Sequence, residues 1–384
     1  MSAVPATALD FHDPAADRSI GAMLGAPVAA ALIGAPTALT LGFTDPSARL
    51  PLLVRTALSE LTATARIPAP PQDPAEQAWV QVLRSTARTG TPPGRAPDLE
   101  HTPADDPLGA SWRALTRTPR PADDPAGGSF ACAHLVDAVW SAYTAAGDAA
   151  AMYTGALAGA LWGASAVPLH ALRRMSETLD PHALTTAALT AVRGAHPTAW
   201  PEHPVLVQEP RRLPPFAVPH PLDPQVLLGN LDHLRHHPGS ADAVVSLCRT
   251  HPQDAPHLPA SDWVRVWMHD RPTANANVHF TLDEAAAAVA ALRAEGKRVL
   301  LHCWAGASRT PAVATRYAVA ALGAAPLPTL AAMIRTVGGH LDNPALSQAV
   351  AQLSGVHLPD PARRLFPDGV PPRRPELPEP HITG

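Results

Sequence analysis

The sequence predicts two domains of different fold class, an all-α N-terminal half and an α/β C-terminal half. Alanine-rich segments with helical apolar spacing fill the N-terminal half, and no convincing strand lies among them. The C-terminal half alternates short strands with helices, which is typical of a central, mainly parallel sheet flanked by helices. Proline-rich stretches separate these parts, because proline removes a backbone donor and interrupts helices.

The domain boundaries follow the proline-rich stretches. We predict an all-α domain over residues 1–200, a linker over 201–213, an α/β domain over 214–356 and a tail over 357–384. A further proline-rich stretch, residues 91–125, is expected to form loops within the first domain.

Composition limits the classes of function. The chain has 384 residues, 46% of them hydrophobic, which suffices for two globular cores. A net charge of −4 does not favour a nucleic-acid partner. We expect neither a signal peptide nor a membrane helix, and three cysteines are too few for a disulfide framework. A cytoplasmic protein with no nucleic-acid or membrane partner is therefore expected.

Apolar periodicity predicts the elements of each half in order. The N-terminal helices are expected at residues 20–31, 50–63, 130–145, 149–165 and 181–192. The C-terminal strands are expected at residues 225–228, 243–247, 263–267 and 298–301, and the helices at 281–294, 311–322, 328–337 and 344–353. Thr281 and Glu284 have the spacing of a capping box that begins the first of these helices, and Gly296 ends it.

The most informative segment is residues 302–310, which read His-Cys-Trp-Ala-Gly-Ala-Ser-Arg-Thr. It lies between a predicted buried strand and a predicted helix, where unpaired backbone N–H groups converge and attract an anion. A thiol at the base of such a cup is placed to attack the anion. The segment therefore predicts removal of a phosphate through a cysteinyl-phosphate.

Each residue type in this segment has a chemical reason. Cys303 is the expected nucleophile, since helix N-terminal donors stabilise the thiolate that attacks. Arg309 is expected to donate two parallel hydrogen bonds to phosphate oxygens. Thr310 is expected to donate to the sulfur when it becomes the leaving group, and His302 to hold the loop. The remaining loop residues are expected to bind phosphate: Trp304, Ala305, Gly306, Ala307 and Ser308.

Asp270 is the candidate acid for the leaving alkoxide and base for water. It follows the strand predicted at 263–267, and the loop after it contains Pro272 and two asparagines. One carboxyl group can donate a proton and later accept one. A solvated turn aspartate is the alternative interpretation, just as a small buried core residue is the alternative for Cys303.

On these residues, the C-terminal half resembles the cysteine-based dual-specificity protein phosphatases. Their signature of His-Cys, five residues, Arg, then Ser or Thr fits residues 302–310 throughout. Residues 228–232 and 243–249 look like the early strands of that fold, and Asp270 matches the family's acid. The resemblance covers residues 214–356. It implies phosphoprotein substrates, no metal and no cofactor, although some relatives act on phosphoinositides or RNA ends.

Cys248 stands at the end of a neighbouring predicted strand. A buried strand cysteine is its ordinary interpretation. The resemblance adds an alternative, since a second cysteine at this place pairs with the nucleophile on oxidation in some similar phosphatases.

The N-terminal half faintly resembles the ADP-ribosylglycohydrolases, through Gly21-Ala-Met-Leu-Gly25 and the glycine-rich residues 155–163. That all-helical family uses two magnesium ions. Only Thr44, Asp45 and Asp148 remain of the ligand motifs, and hard cations require several carboxylate oxygens. The resemblance therefore implies a degenerate, inactive relative without a metal site.

Three functions follow from these patterns. The leading one is a phosphomonoester hydrolase acting on phosphoprotein by covalent cysteine catalysis. The first alternative is a non-catalytic protein that recognises phosphate, and the complete set of Cys303, Arg309 and Asp270 argues against it. The second is a magnesium-dependent ADP-ribosyl hydrolase, and the missing ligands argue against it.

Overall fold

The computed structural model describes residues 13–35, 48–59, 71–193, 213–271, 274–339 and 341–377. These residues form two compact units. Unit 1 contains residues 13–122 and 131–193, apart from the gaps given above. Unit 2 contains residues 213–377 and also the short segment Asp123–Phe130, which precedes the longest helix of unit 1.

Unit 1 is all-α within its described residues, as predicted. Its helices are α1 (Pro14–Ile33), α2 (Arg49–Ser59), α3 (Pro74–Thr89), α4 (Pro97–Glu100), α5 (Pro107–Arg117), α6 (His134–Trp162), α7 (Leu169–Met175) and α8 (Pro181–Arg193). Four of these, α3, α4, α5 and α7, lie where no helix was expected. Helix α3 begins at Pro74 behind the Asp73 cap, and α5 begins at Pro107 behind the Asp106 cap. Proline there starts the helix, because the first helical position needs no N–H donor.

The glycine motifs of unit 1 meet where helices α1 and α6 cross. A Cβ added at Gly25 would lie 2.0 Å from the carbonyl oxygen of Gly155, and one at Gly21 would lie 2.3 Å from that of Gly159. Both distances are too short for any side chain, so only glycine lets the two backbones approach this closely. The glycines that carry the ADP-ribosylglycohydrolase resemblance thus have a packing role.

Helix α6 is interrupted where the sequence predicted a break between two helices. Ala146 and Gly147 have non-helical backbone torsions, and Gly147 has a φ of 75°. Two helical pieces therefore continue across a kink that glycine accommodates without strain.

Helix α1 corrects the expectation about membrane segments. It is long and apolar enough to cross a membrane by length and composition alone, whereas the sequence analysis expected no such segment. Most of that helix is buried inside the structure, as the core helix of a soluble protein also is.

Unit 2 contains a five-stranded mixed sheet covered by helices. The mainly parallel sheet with flanking helices was predicted, and the fifth strand was not. The strands are β1 (Ala217–His220), β2 (Asp223–Asn230), β3 (Ala243–Ser246), β4 (Trp263–Arg265) and β5 (Val299–Cys303), in the order β1-β2-β5-β3-β4. All neighbours are parallel except β1 and β2. Because β5 is central and parallel to both neighbours, its carboxyl end lies beside the ends of β2 and β3.

The helices of unit 2 are α9 (Leu231–His236), α10 (Val278–Ala294), α11 (Arg309–Leu322), α12 (Pro326–Val337), α13 (Pro344–Gln352) and α14 (Pro361–Leu365). The predicted capping box is wrong. Helix α10 begins three residues earlier, at Val278, and the Thr281 hydroxyl donates back to the carbonyl of Asn277. A threonine inside a helix makes this bond to the preceding turn instead of capping it.

Two proline-rich stretches also contain structure that the sequence did not predict. Strand β1 lies just after the predicted linker, where no strand was expected, at the edge of the sheet where Pro219 is tolerated. The tail contains α14 and packs on unit 2 through Leu365 and Phe366, which are buried with residues of α12.

Replacing Gly25 by alanine is expected to destabilise unit 1. Alanine normally stabilises a helix by about 1 kcal/mol relative to glycine. Here the clash with the Gly155 carbonyl outweighs that gain, because overpacking costs on the order of 1–3 kcal/mol or more. Urea unfolding of Gly25→Ala measures the sign. Gly94→Ala is the control, since nothing lies within 4 Å of its added Cβ. A stabilised Gly25→Ala protein would contradict the close crossing.

Candidate active site

Cys303 is the last residue of the central strand β5 and is buried. Residues 304–308, called the phosphate loop here, connect it to helix α11, which begins at Arg309. Strand β5 is wholly buried between β2 and β3, which fixes the position of the thiol at the carboxyl edge of the sheet. The sequence therefore placed Cys303 correctly between a strand and a helix N-terminus.

Two backbone carbonyls of the phosphate loop accept hydrogen bonds from residues outside the loop. The Trp304 carbonyl accepts from the Leu231 N–H at 3.3 Å, and the Ala305 carbonyl accepts from Arg374 Nη2 at 2.6 Å. In a trans peptide the N–H points away from the carbonyl of the same unit. The N–H groups of Ala305 and Gly306 are thus directed away from these outer donors, as an anion-binding cup requires.

The donors of this loop have no protein acceptor. Within the described part of the chain, the backbone N–H groups of residues 305–308 make no hydrogen bond. Such convergent, unsatisfied donors next to a helix N-terminus favour a bound anion.

Three glycines, one within the loop and two beside it, allow the loop to approach its neighbours closely. Gly306 has a φ of 73°, and a Cβ there would lie 2.7 Å from the carbonyl oxygen of Gly229 on β2. A Cβ on Gly339 would lie 2.1 Å from the carbonyl oxygen of Ala307. The role of Gly306 was anticipated from its conformational freedom. The roles of Gly229 and Gly339 were missed, because only the fold brings them to the loop.

The Arg309 guanidinium is buried and anchored on one side. Its Nη1 donates to the carbonyl of Leu247 at 2.7 Å and to that of Met268 at 3.1 Å. These carbonyls follow β3 and β4, so the ends of two strands orient the side chain. This anchoring leaves the edge formed by Nε and Nη2, which is the edge that binds a carboxylate or phosphate in a bidentate manner.

Arg309 also has a buried Nε–H without a partner among the described residues, and its pKa is raised above the ordinary value. Its Nε is buried and has no hydrogen-bond partner among the described residues. Burial by itself lowers the pKa of Arg309, but the negative charges of Asp270 and Cys303 raise it above its ordinary value. A permanently charged guanidinium with a free buried donor is suited to an oxyanion.

Asp270 lies at the mouth of the site, with its side chain 44% exposed. Its carboxylate accepts from the Ser308 hydroxyl at 2.5 Å and from Asn343 Nδ2 at 3.2 Å. One of its oxygens is also 3.6 Å from Arg309 Nη2. The structure thus brings Asp270 to the phosphate loop, as the sequence predicted.

The contacts of Asp270 give one predicted side chain a second role and add one side chain that was not predicted. The sequence assigned Ser308 only to phosphate binding, whereas its hydroxyl donates to Asp270. Asn343 was not a candidate at all. Its position before Pro344 signals the start of α13, where its side chain also accepts from the Leu346 N–H. A helix cap gives no sequence signal for a second role toward a distant carboxylate.

His302 supports the loop through a buried network with a defined proton order. The Cys303 carbonyl can only accept, so His302 Nδ1 carries the hydrogen and donates to it at 3.3 Å. Nε2 of the neutral ring therefore accepts from the Ser246 hydroxyl at 2.7 Å, and that hydroxyl accepts from Trp263 Nε1 at 2.8 Å. Burial lowers the pKa of His302 to about 4, so the imidazole is neutral at pH 7.

Thr310 differs from its expected role in this structure. Its hydroxyl is buried and has no hydrogen-bond partner among the described residues, the sulfur of Cys303 included. The expected bond to the sulfur is therefore not formed here. An unsatisfied buried hydroxyl in the first turn of α11 is a further donor beside the cup.

Cys248 is half-buried beside the same network. Its sulfur lies 3.9 Å from His302 Nδ1, and burial raises its pKa to about 12. Cys303 is close enough for its charge to raise that pKa further. A protonated, poorly nucleophilic thiol fits the interpretation as a strand cysteine, and the redox pairing stays a prediction.

The residual metal ligands of the N-terminal half do not form a site in the described residues. No group of three or more histidine, cysteine, aspartate or glutamate side chains suited to a metal lies there. Asp148 is half-buried just after the kink of α6, whereas Thr44 and Asp45 lie outside the described residues.

The family comparison agrees with this geometry. Residues 240–325 match the dual specificity phosphatase catalytic domain. The match begins just before β3 and ends after α11, so it includes Asp270, Cys303 and Arg309. It supports a phosphatase in the C-terminal part of the chain. No match was found among curated proteins.

Solved structures of similar proteins cover more than a third of the chain. Human DUSP28 is 23% identical over 37% of this chain and 94% of that chain, with a TM-score of 0.30. A mouse putative dual specificity phosphatase complexed with zinc tungstate is 22% identical over 39% of this chain and 92% of that chain, also with a TM-score of 0.30.

The pKa of His302 predicts a specific loss of stability in acid. The folded pKa of about 4 lies below the ordinary value of 6.5, so the unfolded chain takes up the proton first as the pH falls. The contribution of neutral His302 to the free energy of unfolding is fully present above pH 6.5 and is lost as the pH falls from 6.5 to about 4. By linkage, this contribution is about 3 kcal/mol. Urea unfolding across this range is expected to show a shallower pH dependence for His302→Asn. Equal slopes for the two proteins would contradict the buried neutral imidazole.

Proposed function

We propose that the protein is a phosphomonoester hydrolase that acts on phosphorylated proteins through a cysteinyl-phosphate on Cys303. The observation that carries the proposal is the buried Nε donor of Arg309, which has no hydrogen-bond partner among the described residues. The guanidinium is anchored beside the thiol and the phosphate-loop N–H groups, which are also unpaired in the described part of the chain. These donors have the arrangement that a phosphoryl group with spread negative charge needs in transfer.

In the first step, the thiolate of Cys303 attacks phosphorus and the bond from phosphorus to the ester oxygen breaks. Asp270 in its protonated form gives its proton to the departing alkoxide. The Nε and Nη2 edge of Arg309 and the loop N–H groups bind the equatorial oxygens. The products of this step are the free alcohol and the cysteinyl-phosphate.

In the second step, water attacks the cysteinyl-phosphate and the sulfur–phosphorus bond breaks. Asp270, now a carboxylate, accepts the proton of that water, so one group serves both steps. Inorganic phosphate leaves and Cys303 returns to the thiolate. The Thr310 hydroxyl, which has no partner among the residues that the structure describes, is available to donate to the sulfur as it departs.

Phosphotyrosine, phosphoserine and phosphothreonine side chains are the proposed substrates. The loop offers few charges beyond Arg309, since Ala305 and Ala307 occupy positions where a polyphosphate ligand would require basic side chains. Trp304 and Asp270 are both more than one-third exposed, so a protein-borne phosphate has access to the mouth of the site.

We further propose that unit 1 is an inactive relative of the ADP-ribosylglycohydrolases and that the protein is cytoplasmic. The glycine crossing of α1 and α6 retains the helical packing, while the acidic ligands are reduced. Catalysis is proposed to need no metal, and neither nucleic acid nor membrane is a proposed partner.

Serine at position 303 is expected to abolish hydrolysis of p-nitrophenyl phosphate measured with a chelator present. A serine hydroxyl is far less acidic than a thiol and does not supply the nucleophile. Cys132→Ser, in unit 1, is the matched control and is expected to stay active. Activity that survives in Cys303→Ser would exclude the covalent mechanism, and activity lost only on chelation would favour a metal-dependent hydrolase. Phosphate binding without turnover in the unaltered protein would favour a recognition role.

Asp270→Ala is expected to slow turnover by roughly 10²–10⁴-fold. The variant leaves the departing alkoxide and the attacking water without proton transfer, and acid quenching should then trap phosphate on the peptide that contains Cys303. Asp368→Ala, an exposed carboxylate of unit 2, is the control. An unchanged rate in Asp270→Ala would remove this residue from the mechanism.

A further inference from the structure

The tail that follows α14 lies against the phosphate loop. The tail segment, defined as residues 371–377, contacts the loop at two points. Arg374 Nη2 donates to the Ala305 carbonyl at 2.6 Å, and Leu377 is buried against Ala307 in an apolar cluster that also contains Leu213. A stretch whose composition predicted only a proline-rich tail therefore forms part of the wall of the candidate active site.

The Arg374 guanidinium is fixed by more than this one bond. It stacks on the Phe216 ring, with its central carbon 3.5 Å from the ring centroid, and pairs with Glu376 at 3.4 Å. The backbone N–H of Arg374 donates to the Gly338 carbonyl, and a Cβ on Gly338 would lie 2.5 Å from the Arg374 side chain. The stacking and the close backbone leave the side chain little rotational freedom.

The tail segment is anchored at its other end as well. Arg373 makes a bidentate ion pair with Asp342, at 2.9 and 2.8 Å, and also donates to the Leu377 carbonyl at 3.1 Å. Both partners are mostly shielded from solvent, which strengthens such a pair. Asp342 is next to Asn343, the residue that donates to Asp270. The same short region of chain thus supports the tail segment and the acid.

We propose that Arg374 is a positioning residue of the active site, and that it holds the Ala305 carbonyl outside the cup so that the Gly306 N–H points at the bound oxyanion. The proposal deepens the proposed function and rests on it, since the oxyanion in question is the phosphoryl group. Without this donor the 305–306 peptide is free to rotate, and the N–H that it supplies to the cup is lost.

The guanidinium also lies within electrostatic range of the nucleophile. Burial lowers the pKa of Arg374, and the charges of Glu376 and Cys303 oppose that shift. Two effects of Arg374 on the cup are therefore distinguishable, the aim of one amide through a hydrogen bond and the general attraction of a positive charge. Variants and a residue-specific signal separate them. Arg374→Lys keeps both the charge and a donor, Arg374→Ala removes both, and the Gly306 amide resonance reports the aim of the amide alone.

Binding of inorganic phosphate measures the effect without catalysis. In full-length protein with Cys303→Ser, calorimetric titration is expected to give about tenfold weaker phosphate affinity when Arg374→Ala is added. Arg374→Lys, which keeps a donor of similar reach, is expected to recover most of that affinity. The Gly306 amide resonance is expected to shift on phosphate addition with arginine or lysine at 374, and not with alanine. Arg363→Ala, an exposed arginine of α14, is the control and should match the parent.

Kinetics on p-nitrophenyl phosphate provide the second measurement. With Cys303 intact, Arg374→Ala is expected to lower kcat more than it raises KM, because an aimed amide contributes most when charge grows on the oxygens. Unchanged phosphate affinity, amide shift and kcat in Arg374→Ala would overturn the proposal. A Gly306 amide shift that persists in Arg374→Ala despite weaker phosphate affinity would also overturn it, since charge alone would then explain the loss.

The outcomes remain separable from failure of the proposed function. If Cys303→Ser stays active, the covalent mechanism fails, while the phosphate titration still decides whether Arg374 aims the loop. If Arg374→Ala does not fold, Arg374→Met against Arg374→Lys gives the same decision, because both keep an unbranched side chain over Phe216 and only lysine keeps a donor.

Discussion

Outward orientation of the phosphate-loop carbonyls is the constraint on which the candidate site depends. A peptide unit is rigid and planar, so a carbonyl held outside the cup fixes an N–H inside it. Leu231 holds the Trp304 carbonyl and Arg374 holds that of Ala305. The backbones of Gly229 and Gly339 press against the loop so closely that no side chain fits at Gly306 or at Gly339. The cup is therefore preorganised by its surroundings, which is the arrangement that stabilises charge in a transition state without later rearrangement.

The charged groups of the site are arranged around the same loop. Arg309 is anchored by the carbonyls that follow β3 and β4, which leaves its bidentate edge toward the loop. Asp270 is held by Ser308 and Asn343 at the mouth. His302 stays neutral because it is buried, and its two ring nitrogens are used by Ser246 and by the Cys303 carbonyl. Each of these side chains thus has a defined partner within unit 2.

Unit 1 depends on a different constraint, the close crossing of α1 and α6 through glycine. The glycines behind the ADP-ribosylglycohydrolase resemblance are explained by this packing, which needs no ligand. The residues that would hold metal are few, and those in the described chain do not cluster. The glycine crossing thus accounts for the packing of unit 1 without reference to a ligand site.

The sequence by itself determined what is local: the all-α and α/β classes, most elements, and a cysteine and an arginine at the ends of a loop between strand and helix. These features follow from periodicity and spacing over a few residues. It misplaced the start of α10 and left α3, α5, β1 and the tail unassigned, because proline both breaks helices and begins them.

The tertiary structure decided which distant groups complete the site. Asn343, Gly339 and Arg374 reach the phosphate loop only because α12, α13 and the tail return to the carboxyl edge of the sheet. No spacing rule links Arg374 to Ala305, since their hydrogen bond joins residues 69 positions apart. Local pattern specifies the nucleophile and its loop, while long-range packing alone specifies how that loop is held.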